Sequence, residues 1–455
     1  MAYLGNTPTT QSFISGTDYF NGTGSQTAFT LSRTVASVND IQAVVNNVVQ
    51  VPNDAYTISG TTLTMTSAPS AGTQNVYVRY LSTTTQAITP SQGTVSWSTL
   101  NSDVQQDLGI SFKNRIINGN MVISQRGTSA VTIDQTGGTY TLDRWYGRDD
   151  SDGAYSIQQV SDAPTGFTNS LKITITTTDS SLSASQYGFI GQWIEGYNIA
   201  DLGFGTASAK TVTLSFWVKG SVTGQFGGSI TNSAQDRSYP FNYTISAANT
   251  WEQKTVTITG DITGTWLTTN GAGIGVIFAV GVGSNFLSTA NTWIGSFEMS
   301  AIGQTNLYAT SGGTLQFTGV QLEVGTQATT FTTAGGSYGA ELALCQRYYQ
   351  RTQYYATSGG YPVFTSYIGL SIGANNWFWH SVYFPVTMRT AATITTSDFS
   401  GNTGKISIWT SSGGGTASNI NPYTLTSSRD GFSYSDYDNA KFGIGINGYI
   451  ASAEL

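Results

Sequence analysis

Short runs in which apolar and polar residues alternate recur along most of this chain, and they constrain its fold more than any other feature. From residue 20 to residue 80 the runs are TAFTLS, YTISG, TLTMTS and VYVRYLS, separated by residues typical of turns. Similar runs return between 114 and 335 as TVTLSFWVKGS, TWEQKTVTITGD and LQFTGVQLEVG. Alternation with a period of two places one face of a strand against a core. We therefore predict a mainly β protein.

The length of the chain indicates several domains. Its 455 residues exceed what a single hydrophobic core usually serves, and the 53 glycines among them suit sheets joined by many turns. The predicted organisation is an N-terminal segment at 1–14, a small β-domain at 15–83, a linker with a short helix at 84–113, a β-sandwich at 114–335 and a β-rich C-terminal domain at 336–455.

The linker helix is predicted from four apolar residues that recur at intervals of three and four. These residues are Trp97, Leu100, Val104 and Leu108. They form one apolar stripe on a short helix that has little local sequence to pack against. Two interpretations stay open, because the stripe can bundle with copies of itself in a trimer or dock onto a neighbouring domain.

Local patterns predict three further elements. Asn46 and Asn47 stand between strand-like runs and tolerate a left-handed backbone, which predicts a tight hairpin. The apolar run from Ala272 to Gly283 is interrupted by glycines and predicts a buried pair of strands. A second short helix is predicted from Tyr338 onward, in AELALCQRYYQR.

Reactive side chains are scarce. Charged residues make up 9% of the chain, with one histidine, His380, and one cysteine, Cys345. Catalytic triads and zinc sites need more of these groups, so we predict that the protein is not an enzyme. Glycoside cleavage needs only two carboxylates, which leaves a pairing of Glu323 with Asp143 or Asp201 open as an alternative.

Charge and hydropathy narrow the classes of partner. The net charge is −7 without any basic run, which argues against a nucleic-acid partner. The longest apolar run is shorter than the roughly 20 residues of a membrane-spanning helix, so membrane insertion is not expected. The first residues lack the features of a secretory signal, and we expect synthesis in a cytoplasm.

No cofactor is predicted. Asp149, Asp150 and Asp152 offer oxygen ligands for a structural Ca²⁺, and an ordinary acidic turn is the alternative.

Aromatic residues carry the remaining functional signal. They make up 12% of the chain and are dense near its end. Sugars present apolar C–H faces that stack on aromatic rings. The candidate glycan or receptor contacts are Tyr361, Trp377, Trp379 and Tyr383, for which core packing or subunit contact is the alternative.

Ordered blocks of sequence resemble the central region of bacteriophage tail-fibre proteins. The blocks are FKNRIINGNMVISQRGTS at 112–129, YTLDRWYGR at 140–148, and then TVTLSFWVKGS, FTGVQLEVGTQATTF and ELALCQRYYQRT. The part from FNGTGSQTAFTL to VYVRYLS is similar to the small β-domain that begins many such fibres, and ASAEL is typical of their ends. The resemblance covers nearly the whole chain.

The resemblance implies a structural virion protein, made in the host cytoplasm and assembled as a homotrimeric fibre. Its residues 1–14 and 15–83 would attach to tail or baseplate proteins. Residues 114–335 would form a jelly roll like a carbohydrate-binding module, and 336–455 a receptor-binding tip. The distal domains would adhere to a polysaccharide or lipopolysaccharide of the host surface. The alternatives are a tailspike that depolymerises glycans and a purely structural fibre or adaptor.

Overall fold

The chain folds almost entirely into antiparallel β-sheets and divides into two compact units, Met1–Thr99 and Leu100–Leu455. The computed structural model describes residues 16–81 and 112–352, and from 377 onward all but 399, 401, 410–415, 423, 438–442 and 447. Among these residues, no helix combines the length and the apolar character that crossing a membrane requires.

The first unit is a small β-domain with its own core. Its strands are β1 (Thr17–Gly22), β2 (Ala28–Thr30), β3 (Ile41–Val45), β4 (Val48–Val49), β5 (Tyr56–Ser59), β6 (Thr62–Met65) and β7 (Gly72–Tyr80), and a 3-10 turn spans Val38–Asp40. One sheet has the order β1-β7-β3-β4 and the other β2-β6-β5. Alternate residues of these strands, such as Ile41, Ala43, Val76 and Val78, are buried together.

The predicted hairpin is confirmed in this unit. β3 pairs with β4 through Val45 and Val48, and only two residues join them. Asn46 and Asn47 have φ angles of 48° and 64°. These left-handed conformations match the twist of the flanking strands in a type I′ turn, and asparagine adopts them at small cost.

The second unit contains a β-sandwich. Its strands are β8 (Val131–Ile133), β9 (Thr139–Tyr140), β10 (Tyr146–Asp149), β11 (Ala154–Val160), β12 (Ser170–Thr177), β13 (Tyr187–Glu195), β14 (Val212–Gly220), β15 (Gly224–Asn232), β16 (Ser238–Ile245), β17 (Glu252–Ile258), β18 (Ala272–Val282), β19 (Leu287–Ser288), β20 (Ser300–Ala301) and β21 (Thr314–Val324). Short 3-10 turns span Gly196–Asn198, Ala200–Leu202, Ser284–Phe286 and Leu307–Ala309.

Two six-stranded sheets pack face to face across one core. The first has the order β16-β15-β18-β13-β10-β9 and the second β17-β14-β21-β12-β11-β8. Phe278 of the first sheet lies 4.9 Å from Phe216 and 4.7 Å from Phe317 of the second, measured between ring centroids. The predicted β-sandwich is therefore present, and alternate residues of each strand fill its core.

The predicted pair of strands between Ala272 and Gly283 is wrong, because this run forms the single strand β18. Its glycines make room for neighbours instead of turning the chain. A Cβ on Gly275 would lie 2.6 Å from the ring of Trp193, and one on Gly281 would lie 2.6 Å from the Asn306 side chain.

The C-terminal part of the second unit begins with the helix α1 (Tyr338–Gln346), which confirms the predicted second helix. The strands that follow are β22 (Tyr349–Arg351), β23 (Trp377–Tyr383), β24 (Thr393–Ser397), β25 (Ile406–Trp409), β26 (Thr416–Ile420), β27 (Thr424–Ser427), β28 (Gly431–Tyr437), β29 (Gly443–Gly445) and β30 (Gly448–Ser452). They form sheets with the orders β22-β30-β24, β23-β28-β27 and β26-β25-β29.

Buried ion pairs join this C-terminal part to the sandwich. The Glu454 carboxylate pairs with the guanidinium groups of Arg126, at 2.8 Å, and Arg144. Arg347 forms a second pair with Glu195, at 2.6 Å. The two parts therefore belong to one compact unit, although their sequence patterns suggested separate domains.

Candidate functional site

The outer face of the first sandwich sheet carries a row of aromatic rings. Tyr140 lies in β9, Tyr146 in β10, and Phe189 and Tyr187 in β13. Successive ring centroids are 5.1, 6.3 and 6.1 Å apart. The three tyrosines are half-buried, so part of each is open to solvent. We call these four residues the aromatic row.

Strand alternation and register bring the row together. Ile190 and Ile194 of β13 point into the sandwich core, which leaves Phe189 for the opposite face. Tyr146 pairs with Tyr140 on one side and with Gly191 on the other. Because Gly191 has no side chain, no bulky group rises from the sheet at that position beside the Tyr146 ring.

Polar groups flank the row. Arg148 is exposed, and its Cζ lies 5.8 Å from the centroid of the Tyr187 ring. Burial raises the pKa of Tyr187, so its hydroxyl is a neutral donor and acceptor near pH 7. The exposed Asp150 follows at the end of β10 and its backbone N–H donates to the Tyr187 carbonyl over 2.7 Å.

The row is bounded at both ends. The ring of Phe286 meets Tyr187 edge-on, with centroids 5.1 Å apart. At the other end the Tyr140 hydroxyl donates to the Leu455 carbonyl oxygen, and Arg126 lies over the Tyr140 ring at 5.5 Å. The surface between these ends offers rings for stacking, phenolic hydroxyls and one guanidinium donor. Such a set suits a polyhydroxylated ligand with apolar faces.

The predicted contact Tyr383 is the other exposed aromatic residue of interest. It ends β23 and is 82% exposed. Beside it lies a shallow pocket of about 210 Å³, lined with hydroxyl groups that include Ser381 and Ser433 and with Asp430. Asp430 accepts a hydrogen bond from the Thr387 hydroxyl over 2.8 Å. This pocket is smaller than most ligand sites, which span about 300–1,000 Å³.

The side chains of the other predicted receptor contacts, Trp377, Trp379 and Tyr361, are not among those described. The backbones of Trp377 and Trp379 belong to β23 and pair with Tyr437 and Ser435 of β28. Their side chains and all of Tyr361 lie outside the description. The predicted trimer helix with its four apolar residues, Trp97, Leu100, Val104 and Leu108, also lies outside the described residues. Both interpretations stay predictions.

The three aspartates proposed for Ca²⁺ have separate partners. Asp149 is buried and accepts from the Ser151 N–H over 2.8 Å, and burial raises its pKa. Asp152 is exposed and accepts from the Gln135 amide over 3.3 Å, while Asp150 flanks the aromatic row. Within the described ranges, no group of three or more His, Cys, Asp or Glu side chains is arranged to hold a metal ion. The calcium site stays a prediction.

The carboxylates considered for glycoside cleavage lie in three different hydrogen-bond sets. Glu323 is buried and accepts from the Thr329 backbone and hydroxyl over 2.9 and 2.7 Å. Asp143 is buried beside Gln125 and Arg126, and Asp201 pairs with Arg115 over 2.8 Å. Each of these side chains has a structural role within the sandwich.

The lone histidine and cysteine are packed residues. His380 lies in β23 and meets the Tyr434 ring edge-on, with centroids 5.2 Å apart. Cys345 is fully buried in α1, and burial raises its pKa well above the ordinary value. Its thiol is therefore a poor nucleophile near neutral pH.

The aromatic row was missed by the sequence reasoning. Its residues lie in YTLDRWYGRD and QYGFIGQW, and of them only Tyr187 and Phe189 stand at alternating positions of one strand. The pairing of β9, β10 and β13 is what joins them, and residues as far apart as 146 and 191 become neighbours only in the fold.

Comparisons with known proteins add little to this description. No protein-family model and no curated protein sequence matches the chain. Among solved structures, the enzymatically active domain of bacteriophage CBA120 tailspike protein 4 is 13% identical with a TM-score of 0.26, over 47% of this chain and 21% of that one. The chain therefore spans about a fifth of that tailspike domain.

Two further solved structures are similar to about half of the chain. A putative sugar-binding protein of Bacteroides thetaiotaomicron is 14% identical with a TM-score of 0.28, over 47% of this chain and 100% of that one. A family 11 carbohydrate-binding module of Clostridium thermocellum, in complex with a mixed-linked tetrasaccharide, is 11% identical with a TM-score of 0.23, over 44% and 96%. These TM-scores are too low to carry an argument. The fold itself defines an antiparallel β-sandwich that carries a row of partly buried aromatic rings on one sheet.

Proposed function

We propose that this protein is a bacteriophage tail fibre that adheres to a glycan of the bacterial surface through its β-sandwich, without cleaving that glycan. The observation that carries the proposal is the aromatic row, in which half-buried tyrosines and the buried Phe189 line one sheet face beside the guanidinium of Arg148. Rings at this spacing can stack on consecutive sugar units, while hydroxyl and guanidinium groups bind the sugar hydroxyls.

The order of the sequence blocks supports the virion role. They resemble tail-fibre proteins from the small N-terminal β-domain to ASAEL, and the proposed fibre is a homotrimer attached to the tail through residues before the sandwich. Three copies of a weak glycan site on one axis would gain avidity while each single contact stays reversible.

A glycan array tests adhesion and cleavage together. The purified full chain is applied to immobilised bacterial capsular and lipopolysaccharide glycans, and soluble samples of each bound glycan are then assayed for new reducing ends. We expect binding to at least one glycan without new reducing ends. Release of oligosaccharides would support the tailspike alternative, and an array without any bound glycan would favour the purely structural fibre.

Light scattering tests the assembly. The expected particle has three times the chain mass of 48.3 kDa. A stable monomer at the concentrations used on the array would refute the homotrimer and remove the avidity argument.

A further inference from the structure

A second cleft lies on the same unit, away from the four residues of the aromatic row. It has a volume of about 510 Å³ and is lined by residues 122–125, Gly127 and Gln159 on the sandwich side, and by α1 and Arg351 on the other. This volume falls within the range of about 300–1,000 Å³ that is typical of ligand sites. We call it the helix cleft.

The wall of the helix cleft is polar and rich in amides. α1 presents Tyr338, Leu342 and Gln346, which are spaced four residues apart and so share one helix face. Tyr338 is 63% exposed at this wall. Gln125 and Gln159 line it from the sandwich side, where their amide nitrogens donate to Asp143 and to the Met121 carbonyl oxygen, whereas Gln346 lines it from α1. Amides and an exposed ring are the groups that bind sugar hydroxyls and sugar faces.

Arg351 gives the helix cleft a positive charge. Its Nη1 donates to the Gln125 carbonyl over 3.1 Å, while its Nε is buried without a hydrogen-bond partner. No carboxylate within the described part of the chain forms an ion pair with it. A guanidinium that lines a cleft can bind an anion through its N–H donors.

The neighbouring charges do not cancel that of Arg351. Arg126 and Arg144 are balanced by Asp143 and Glu454, with which they pair. Glu341, the carboxylate of α1, is buried and accepts from the N–H groups of Asn118 and Gly335 at the other side of the helix end.

The last carbonyl oxygens of α1 are hydrogen-bonded within the chain. The carbonyl oxygens of Ala343 and Cys345 accept from the N–H groups of Arg347 and Tyr348, over 3.1 and 3.0 Å. Arg351 is therefore the uncompensated charge at the cleft among the described residues.

We propose that the helix cleft binds a saccharide unit that carries an anionic group, with Arg351 on the anion, the Gln346 amide on its hydroxyls and the Tyr338 ring on its apolar face. The inference rests on the proposed glycan binding but assigns a second site with its own chemistry. A carboxylate and a phosphate fit the guanidinium equally well, so the ligand class is an acidic sugar and the experiment separates the two anions.

Isothermal titration of the full chain with three probes tests the proposal. The probes are a galacturonic acid trimer, a galactose trimer as the matched neutral sugar, and glucose 6-phosphate. We expect at least one acidic probe to bind more tightly than the neutral trimer. Arg351→Gln should weaken acidic binding about tenfold or more, because a charge-assisted hydrogen bond is lost, and leave the neutral trimer unchanged.

Two substitutions of opposite charge at Gln346 provide a second test, which does not depend on whether the Arg351→Gln variant folds. Gln346→Glu should weaken acidic binding and Gln346→Lys should strengthen it, each several-fold. Equal binding of acidic and neutral trimers by the wild type, or an acidic preference unaffected by the Arg351 and Gln346 variants, would overturn the proposal. Tyr187→Ala separates the two sites, because it should leave binding in the helix cleft intact even where array binding is lost.

Discussion

Among the described residues ion pairs are few, and the pair between Arg144 and Glu454, both nearly buried, holds the C-terminal residues against the sandwich. The side chains of Arg144 and Glu454 are 1% and 7% exposed, and Arg126 stacks on the Tyr349 ring at 3.6 Å while it pairs with the same carboxylate. A buried charge that loses its partner keeps its desolvation cost. Arg144 therefore depends on Glu454, whereas Arg126 also pairs with Asp143.

Substitution of Glu454 by glutamine should destabilise the protein strongly. The change keeps the shape of the side chain but leaves the buried Arg144 without its carboxylate and removes one of the two carboxylates paired with Arg126. The expected loss in the free energy of unfolding is about 3 kcal/mol. Urea unfolding followed by fluorescence measures it. Asp201→Asn is the matched control, because Asp201 is 48% exposed in its pair with Arg115 and should cost no more than about 1 kcal/mol. Equal losses in the two variants would contradict the structural role of Glu454.

His380 gives the stability a defined pH dependence. Burial lowers its pKa below the ordinary 6.5, so the folded protein binds the proton less readily than the unfolded chain does. The contribution of neutral His380 to the free energy of unfolding is therefore fully present above pH 6.5. It is lost as the pH falls below 6.5 and through the lower pKa of the folded protein, because the unfolded chain takes up the proton first. Unfolding free energies of wild type and His380→Gln, measured from about pH 8 to about pH 5, should differ in slope below pH 6.5. Parallel curves would show that His380 titrates alike in both states.

At the scale of elements, the hairpin between β3 and β4 depends on its two asparagines. Asn47→Val places a β-branched residue at a φ of 64°, which valine adopts only with strain. We expect the amide of Gln50, which donates to the Ala43 carbonyl over 2.9 Å, to exchange at least several-fold faster with deuterium. Asn47→Gly is the control and should leave exchange unchanged or slower, since glycine suits this position. Faster exchange in the glycine variant would contradict the turn assignment.

Some elements could be predicted because their signal is local. Alternation in Val212, Leu214 and Phe216 predicted a strand of the sandwich, and Asn46 with Asn47 predicted a turn, since each depends on neighbours in sequence. The role of the glycines was harder to predict. Gly275 lies within the continuous strand β18, where the absence of a side chain leaves room for the ring of Trp193. A sequence pattern does not distinguish a glycine that turns the chain from one that makes room for a neighbour.

The candidate sites depend on contacts between distant residues. Arg144 and Glu454 are separated by 310 positions, and Arg351 and Gln125 by 226. The aromatic row likewise needs the register of β9, β10 and β13. The sequence reasoning therefore chose the local aromatic cluster around Trp377, Trp379 and Tyr383, whereas the structure adds a row on the sandwich face and a cleft beside α1.

At the scale of the whole molecule, the proposed adhesive surface is the sandwich face, and the ion pairs of Glu454 and Glu195 join the C-terminal sheets to the sandwich. This arrangement would keep the aromatic row in a fixed orientation to the bacterial surface. The tip prediction assigns adhesion to Tyr383 and its neighbours. The two assignments predict different effects of single substitutions.

The most direct test is the affinity of three forms of the full chain for one glycan that the array identifies. Tyr187→Ala removes a stacking ring and should weaken binding about tenfold, which corresponds to roughly 1.4 kcal/mol. Tyr383→Ala, the matched control on the tip, should bind like the wild type. Unchanged affinity in Tyr187→Ala together with a loss in Tyr383→Ala would contradict the account and move the adhesive site to the tip.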